Sequence, residues 1–342
     1  MKRPTKLIFF ILAVFFSSLS CQKEAPSLEQ SRPNTSYAVA GAELLFHGKK
    51  VHLNGVNALH TFGLEDLKLM DEWNVNIVRE FIGNLREQPI TGGPLQDTNG
   101  QWLHPLEQIV EKNRAHNKVT ILCPFGWVKE NGDVQLFTGQ NPSEQTFYDN
   151  YKTKMRQIAE QFKGQEDVWI EIWNEPFHWN NEKGYSHQMW LNDTEDMVQN
   201  LRSVAGFESI IVVPGNEQGQ GEQAIIELGN ELLANHYNIL FDLHAYEKWL
   251  NNNTKEDIEA RFNRLFNSGF AFIIGEVGVL NVSELMDPKP FLEAAGQHNV
   301  STLAWLWKRE AEDQNALLNE NEEANNLNNS NWGTSFYQFL NH

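Results

Sequence analysis

The sequence predicts an α/β fold, a single (β/α)8 TIM barrel preceded by a short β-hairpin. Segments of strand character and of helical character alternate from Val51 onward, the pattern of a mainly parallel sheet covered by helices. The alternation makes eight units of roughly 30 residues each, the count that a closed barrel of this kind requires. Two apolar runs, Val168 to Trp173 and Ala271 to Gly275, deliver a glutamate directly afterwards, in Asn174-Glu175-Pro176 and at Glu276. Proline ends the first run because it donates no ladder hydrogen bond.

The hairpin comes first, Tyr37 to Ala40 and Glu43 to Phe46, with a second turn at His47-Gly48-Lys49. Val51 to Asn57 reads as strand one, and helical Leu64 to Trp73 leads to strand two, Val75 to Arg79. The loop 83–104, rich in Gly, Pro and Asn, belongs on the surface. Helix Leu106 to Asn117 feeds strand three, Val119 to Phe125; a loop and the helix Ser143 to Lys163 then precede strand four, Val168 to Asn174. Helix Ser186 to Val204 leads to strand five, Ile210 to Pro214. Strands six to eight are Ile239 to Tyr246, Ala271 to Glu276 and Thr302 to Lys308, with helices near 222–233, 255–268 and 288–298 between them. The Asn/Glu-rich stretch 312–331 reads as an exposed excursion, and Phe336 to Leu340 as a closing helix.

The chain of 342 residues suits one large domain. Residues 1–20 read as an export signal: Lys2, Arg3 and Lys6 precede an apolar Leu7 to Phe16, too short to span a bilayer. Leu19-Ser20-Cys21 is similar to a bacterial lipobox, which makes Cys21 the expected lipidation site and the protein an outer-membrane or cell-surface lipoprotein. Plain secretion or a periplasmic location is the alternative. Residues 21–36 read as a tether and 37–342 as the barrel domain. With only Cys21 and Cys123, no disulfide framework exists, and Cys123 in an apolar run reads as an inert core thiol. A net charge of −18 repels phosphate backbones, so nucleic acid is excluded as a partner. The charge suits a neutral partner, and membrane contact is expected only through the lipid anchor. A monomer is expected.

Catalytic side chains of such barrels sit at the C-terminal ends of the strands. The polar residues there are Asn57, Arg79, Asn174, Glu175, His244, Tyr246, Glu276 and Trp307. Two strand-end glutamates are the minimum equipment for cleaving a glycosidic bond, one acting as acid and one ionised to attack. Arg79 beside Glu276 would keep that carboxyl charged, whereas burial near Trp173 would raise Glu175. Glu171, four residues deeper on the same face as Glu175, is a structural partner for Arg79. No metal spacing joins the histidines; His60, just after strand one, is read as a cleft residue. Asn216, Glu217 and Gln218 after strand five, and Trp127, Trp179 and Trp190, are further cleft candidates.

Together these motifs resemble glycoside hydrolase family 5, the cellulase and mannanase family of retaining barrel enzymes, from about Ala38 to Lys308. The resemblance implies that Glu175 of Asn-Glu-Pro is the acid/base and that Asn174 contacts the substrate 2-hydroxyl. It implies that Glu276 of Ile274-Gly275-Glu276 is the nucleophile. His244-Ala245-Tyr246 resembles the family's His-x-Tyr, Arg79 its arginine, and Trp307 its sugar platform, with Trp305 the alternative. Strand three departs from the pattern: it ends Cys123-Pro124-Phe125 where many members carry histidine. The implied activity is an endo-acting β-1,4-glycanase on a neutral polysaccharide or oligosaccharide, glucan or mannan, with no cofactor. An exo-acting β-glycosidase and a non-catalytic glycan-binding barrel are the rival readings. The latter predicts loss of one glutamate, and both are present. An aldolase-type lyase would need a supported strand-end lysine, and Lys308 has no such support.

Overall fold

A computed structural model describes residues 35–327 and 331–342. Eight parallel strands close in chain order: β1 (Gly55–Ala58), β2 (Ile77–Ile82), β3 (Val119–Pro124), β4 (Val168–Glu171), β5 (Ile211–Pro214), β6 (Ile239–Ala245), β7 (Phe272–Val277) and β8 (Thr302–Trp307), with β8 pairing onto β1. Besides a single turn at Glu247–Leu250, the α-helices of the described residues are α1 (Lys68–Glu72), α2 (Leu106–Ala115), α3 (Tyr148–Phe162), α4 (His187–Arg202), α5 (Gln223–Asn235), α6 (Lys255–Asn267), α7 (Lys289–His298) and α8 (Trp332–Leu340). The expected (β/α)8 barrel is the observed fold. The export signal, Cys21 and nearly all of the tether lie outside the described residues. Among those described, no helix is long and apolar enough to cross a membrane.

Side-chain alternation divides the barrel into two chemically different halves. Inward residues at the N-terminal end, including Leu53, Ile77, Ile121, Trp169, Val212, Leu240 and Ile273, form a dry cluster. The N-terminal sheet, Tyr37–Ala40, Glu43–Phe46 and Lys49–Lys50, caps that end: Leu44 joins the cluster, and Tyr37 meets Trp169 edge-on at 5.6 Å. One layer higher, the inward positions are Asn57, Arg79, Cys123, Glu171 and Asp242, all buried. The larger core lies between strands and helices.

Strand one is shorter than its sequence suggests. Val51 to Asn54 spend their polar groups elsewhere: Val51 N–H donates to the Leu44 carbonyl at 3.0 Å and Leu53 N–H to Ser301 Oγ at 2.9 Å. Gly55 then sits against β2 so closely that a Cβ would lie 1.8 Å from the Ile77 carbonyl oxygen. Two bulges matter for the site. One between Leu243/His244 of β6 and the facing β7 adds Gly275 and pairs His244 with Glu276. The other, between Ala304 and Trp307 of β8, shifts the register against β1.

The stretch 312–331 departs from expectation. Ala316, Leu317 and Leu318 are fully buried. Two of its asparagines replace missing backbone partners. Asn315 Oδ1 accepts the Val279 and Leu280 N–H groups, and Asn325 Nδ2 donates to the Glu310 and Asp313 carbonyls. Composition suggested an exposed excursion, whereas these side chains serve as backbone surrogates. The loops at 83–104 and 126–142 likewise contain hairpins, Leu95–Gln96 with Trp102–Leu103 and Gly126–Val128 with Val134–Leu136.

Candidate active site

Arg79, fully buried on β2, is the centre of the upper barrel layer. Its Nε and Nη2 donate to the two oxygens of Glu171 at 2.6 and 2.8 Å, a bidentate pair. Nη1 donates to Asn57 Oδ1 at 2.8 Å and to Glu276 Oε1 at 2.7 Å, and Nη2 to Asn174 Oδ1 at 2.8 Å. Four strands are thereby referenced to one guanidinium, whose planar fork suits the task. Asn57 spends its other end on the Gly275 and Ala304 carbonyls. Neither Arg79 nor Asn57 has surface left for a sugar. Expected as substrate contacts, both lie beneath the site and position it.

Glu276 is held from both sides. Tyr246 Oη donates to its Oε2 at 2.8 Å while Arg79 holds Oε1. Burial pushes the Glu276 carboxyl above its ordinary range, opposed by His244, by Arg79 and by the Tyr246 hydrogen bond. The sequence reading counted the arginine and underweighted the burial. Burial also pushes the Cys123 thiol well up, which keeps it inert.

Glu175 follows β4 at a left-handed backbone position, φ 48°. The turn is fixed by Gly139 N–H on the Glu175 carbonyl at 2.8 Å and by Gln218 N–H on the Pro176 carbonyl at 3.0 Å. Its carboxyl is partly exposed at the mouth. Oε1 lies 3.0 Å from His244 Nδ1, and Thr138 Oγ1 donates to Oε2 at 2.8 Å. Oxygens of Glu175 and Glu276 and a nitrogen of His244 all lie within 4.8 Å of one another.

His244 is surrounded by carboxylates: besides Glu175, its Nδ1 is 3.7 Å from Glu276 and its Nε2 3.5 Å from Asp242. Burial works against the imidazolium, but Glu276, Asp242 and Glu175 outweigh it and hold the group well above its ordinary range. The oxygens of Glu175 and Glu276, and those of Glu171 and Asp242, are close enough with His244 to ligate a cation. Arg79 and the imidazolium already supply positive charge there.

The structure thus brings Asn57, Arg79, Asn174, Glu175, His244, Tyr246 and Glu276 together. It does not bring His60. That imidazole is buried in the wall, Nδ1 2.9 Å from Glu80 Oε1, and Glu80 also accepts from Asn113 of α2. A buried carboxylate on the outer face of β2 needs partners, and His60 is one. Trp307 is also misplaced by its strand end. The β8 bulge pairs it with Ala58, whose side faces the helices, so it packs edge-on to Trp73, just after α1, at 5.3 Å. Trp305 is the half-buried tryptophan, stacked on Phe125 at 5.6 Å beside Arg79's cation–π contact with the same ring. Of the two tryptophans, Trp305 is the one that keeps part of its surface open; its peptide to Leu306 is cis.

Of the other cleft candidates, Trp127 and Trp190 are buried. Trp179 is half-buried, with Lys248 Nζ 4.7 Å above its ring, and Lys248 pairs with Glu217. Asn216 is buried and donates to Asn181. Two residues escaped the sequence reading. Asp242 stands two residues before His244 on the same strand face, a lone acid in an apolar run, and that signal was available. Thr138 carried none.

A profile described as Cellulase (glycosyl hydrolase family 5) matches residues 46–311. The chain belongs to glycosyl hydrolase family 5. The match covers all eight strands of this family 5 barrel and both glutamates. Similar solved structures include a β-mannanase from Thermomonospora fusca, 19% identical, covering 89% of this chain and 94% of that one at TM-score 0.66. The mannanase catalytic domain from Streptomyces sp. SirexAA-E is 20% identical, with 83% and 84% covered and TM-score 0.63. An endoglucanase catalytic domain from Thermobifida fusca is 16% identical, with 90% and 97% covered and TM-score 0.62. At such identities the likeness is one of fold. No curated protein matches the chain significantly. Membership makes the protein an O-glycosyl hydrolase.

The tryptophan assignment has opposite consequences at the two positions. Trp307→Ala should lower unfolding free energy by about 3–5 kcal/mol, the cost of emptying a buried aromatic site. Trp305→Ala should cost far less stability and raise KM on a soluble glycan about tenfold, equivalent to about 1.4 kcal/mol of binding. Urea denaturation and steady-state kinetics on both variants read this out; the reverse pattern would return the platform to Trp307.

Proposed function

We propose that the protein is a retaining, endo-acting β-1,4-glycanase that cleaves a neutral β-mannan or cellulose-like β-glucan. The observation that carries the reading is the pair of carboxyls, Glu175 and Glu276, with oxygens within 4.8 Å across one barrel mouth. Retaining enzymes hold such a pair about 5–5.5 Å apart, whereas inverting enzymes leave about 6.5–9.5 Å for a water. The unequal settings of the two carboxyls support unequal roles: Glu276 is enclosed by Arg79 and Tyr246, and Glu175 is open to the mouth. In the first step a Glu276 oxygen bonds to the anomeric carbon as the glycosidic C–O bond breaks. That bond's electron pair goes to the leaving oxygen, which takes the proton of Glu175. In the second step Glu175, now a carboxylate, accepts a proton from water, whose oxygen bonds to the anomeric carbon and releases Glu276. Asn174, with its carbonyl fixed by Arg79, has its amide available for a sugar hydroxyl. Trp305 offers the apolar face on which a pyranose stacks.

The substrate class is supported by the neighbours: the Thermomonospora fusca mannanase has been crystallised with mannohexaose and the Thermobifida fusca endoglucanase with cellotetraose. The proposal includes export and a lipid anchor at Cys21, supported by the basic and apolar segments before it.

Soluble β-mannans and β-glucans incubated with wild type should yield oligosaccharides of mixed length with retained anomeric configuration by NMR. Glu276→Gln should lower kcat/KM by about 10⁴-fold or more, as expected on removing a nucleophile. Inverted product, or no activity on any β-glycan, would sink the proposal. Because the nucleophile must be ionised and burial raises its pKa, activity should be lost on acidification at a pH above the ordinary glutamate value of about 4.3. An acid limb at or below that value in kcat/KM would contradict the assignment. Cys21→Ser should move the protein from the membrane fraction to the soluble fraction; unchanged partitioning would remove the anchor.

A further inference from the structure

We propose that Thr138 is a positioning residue for the acid/base carboxyl, brought to Glu175 by the hairpin that follows β3. The inference rests on the reading of Glu175 as acid/base and adds a residue that no motif marks.

The hairpin Gly126–Val128/Val134–Leu136 projects from β3, and its returning strand runs straight into Phe137. Phe137 is fully buried and stacks on Trp173 with centroids 4.2 Å apart. Its carbonyl accepts the Trp173 indole N–H at 3.1 Å, and its N–H donates to the Phe125 carbonyl at 2.9 Å. On the other side of Thr138, Gly139 N–H donates to the Glu175 carbonyl at 2.8 Å, and the Gln140 carbonyl accepts the Phe177 N–H at 2.9 Å. Thr138 is thus clamped on both sides to the same segment, 173–177, that carries the carboxyl it touches. A hydroxyl so anchored holds its direction without help from the rest of the hairpin, whose Val134 and Leu136 are exposed.

The two oxygens of Glu175 have one protein partner each, His244 on Oε1 and Thr138 on Oε2. Gripping both restrains rotation of the carboxyl plane, which a proton donor must hold to reach the glycosidic oxygen. The two partners differ in what they tolerate. An imidazolium only donates, whereas a threonine hydroxyl donates to the ionised carboxylate and accepts from the protonated acid. Thr138 can therefore stay bonded through both protonation states that the cycle demands of Glu175. The charged groups facing Glu175 are His244 of β6 and Glu276 of β7; Thr138 is its neutral partner from the β3 side.

The test compares kcat/KM on two substrates with the same sugar chain. One is an unactivated oligosaccharide; the other is a 2,4-dinitrophenyl glycoside, whose phenolate leaves without a proton. Glu175→Ala is measured first. It should lose about 10²- to 10⁴-fold on the oligosaccharide, the range for general acid catalysis, and little on the dinitrophenyl glycoside. Equal losses on both would defeat the acid/base reading itself. With that reading intact, Thr138→Val should lose roughly 10- to 100-fold on the oligosaccharide, as for one hydrogen bond to a charged group. It should stay within about threefold of wild type on the dinitrophenyl glycoside, which also reports a folded site, and Thr138→Ser should recover most of the loss. Parallel losses on both substrates, no loss on either, or no recovery with serine would overturn the positioning role.

Discussion

A guanidinium with no exposed surface must find all its partners inside the protein, and Arg79 of β2 finds them on three other barrel strands and on the segment that carries Glu175. Removing one partner from a buried ion pair leaves an uncompensated charge and costs several kcal/mol, so such a network is held to one arrangement. Here that arrangement underlies the candidate active site. Glu171 absorbs one edge of the guanidinium, and the remaining donors aim Asn57, Asn174 and Glu276. The buried acids outnumber the cations around them. Burial pushes Glu171 up as well as Glu276, with Arg79 opposing the rise in both. The imidazolium of His244 takes up part of the excess negative charge, and it lies between the two glutamates.

The lower half of the barrel makes this possible by contrast. Its interior is filled with aliphatic and aromatic side chains and closed by the N-terminal sheet. The polar layer can then occupy the upper half, where strand ends open toward loops. Asp242 links the two functions. Its carboxylate accepts the Gly275 N–H at 2.6 Å and lies so near that a Cβ on Gly275 would meet it at 2.1 Å. Glycine at the bulge lets Asp242 fit, and the bulge brings Glu276 level with His244.

Much of the site was legible in the residues. Glu175 and Glu276 stood out because a charged residue straight after a buried strand has few reasons to be there. His244 and Tyr246 were legible for the same reason, two polar groups on one face of an apolar run. The failures have physical causes. Trp307 was placed by its strand end and by the family resemblance, and one extra residue in β8 turns it toward the helices. His60 was placed by nearness in sequence to a strand end, while a buried Glu80 on the neighbouring strand had the stronger demand for it. Asparagine-rich composition at 312–331 suggested exposure, because composition does not say whether amide side chains meet water or unpaired backbone groups.

The alternating periods of the sequence alone determined a (β/α)8 barrel, since strand and helix patterns are local and each unit carries its own. The two strand-end glutamates could be picked out with it. Tertiary structure decided which side chains touch the mouth and which lie beneath it. Arg79 and Asn57 went below, Trp305 rather than Trp307 came to the surface, and Thr138 arrived from a loop. Those outcomes depend on bulges, on loop paths and on the competition of buried charges for partners, which are settled only when distant strands are packed side by side.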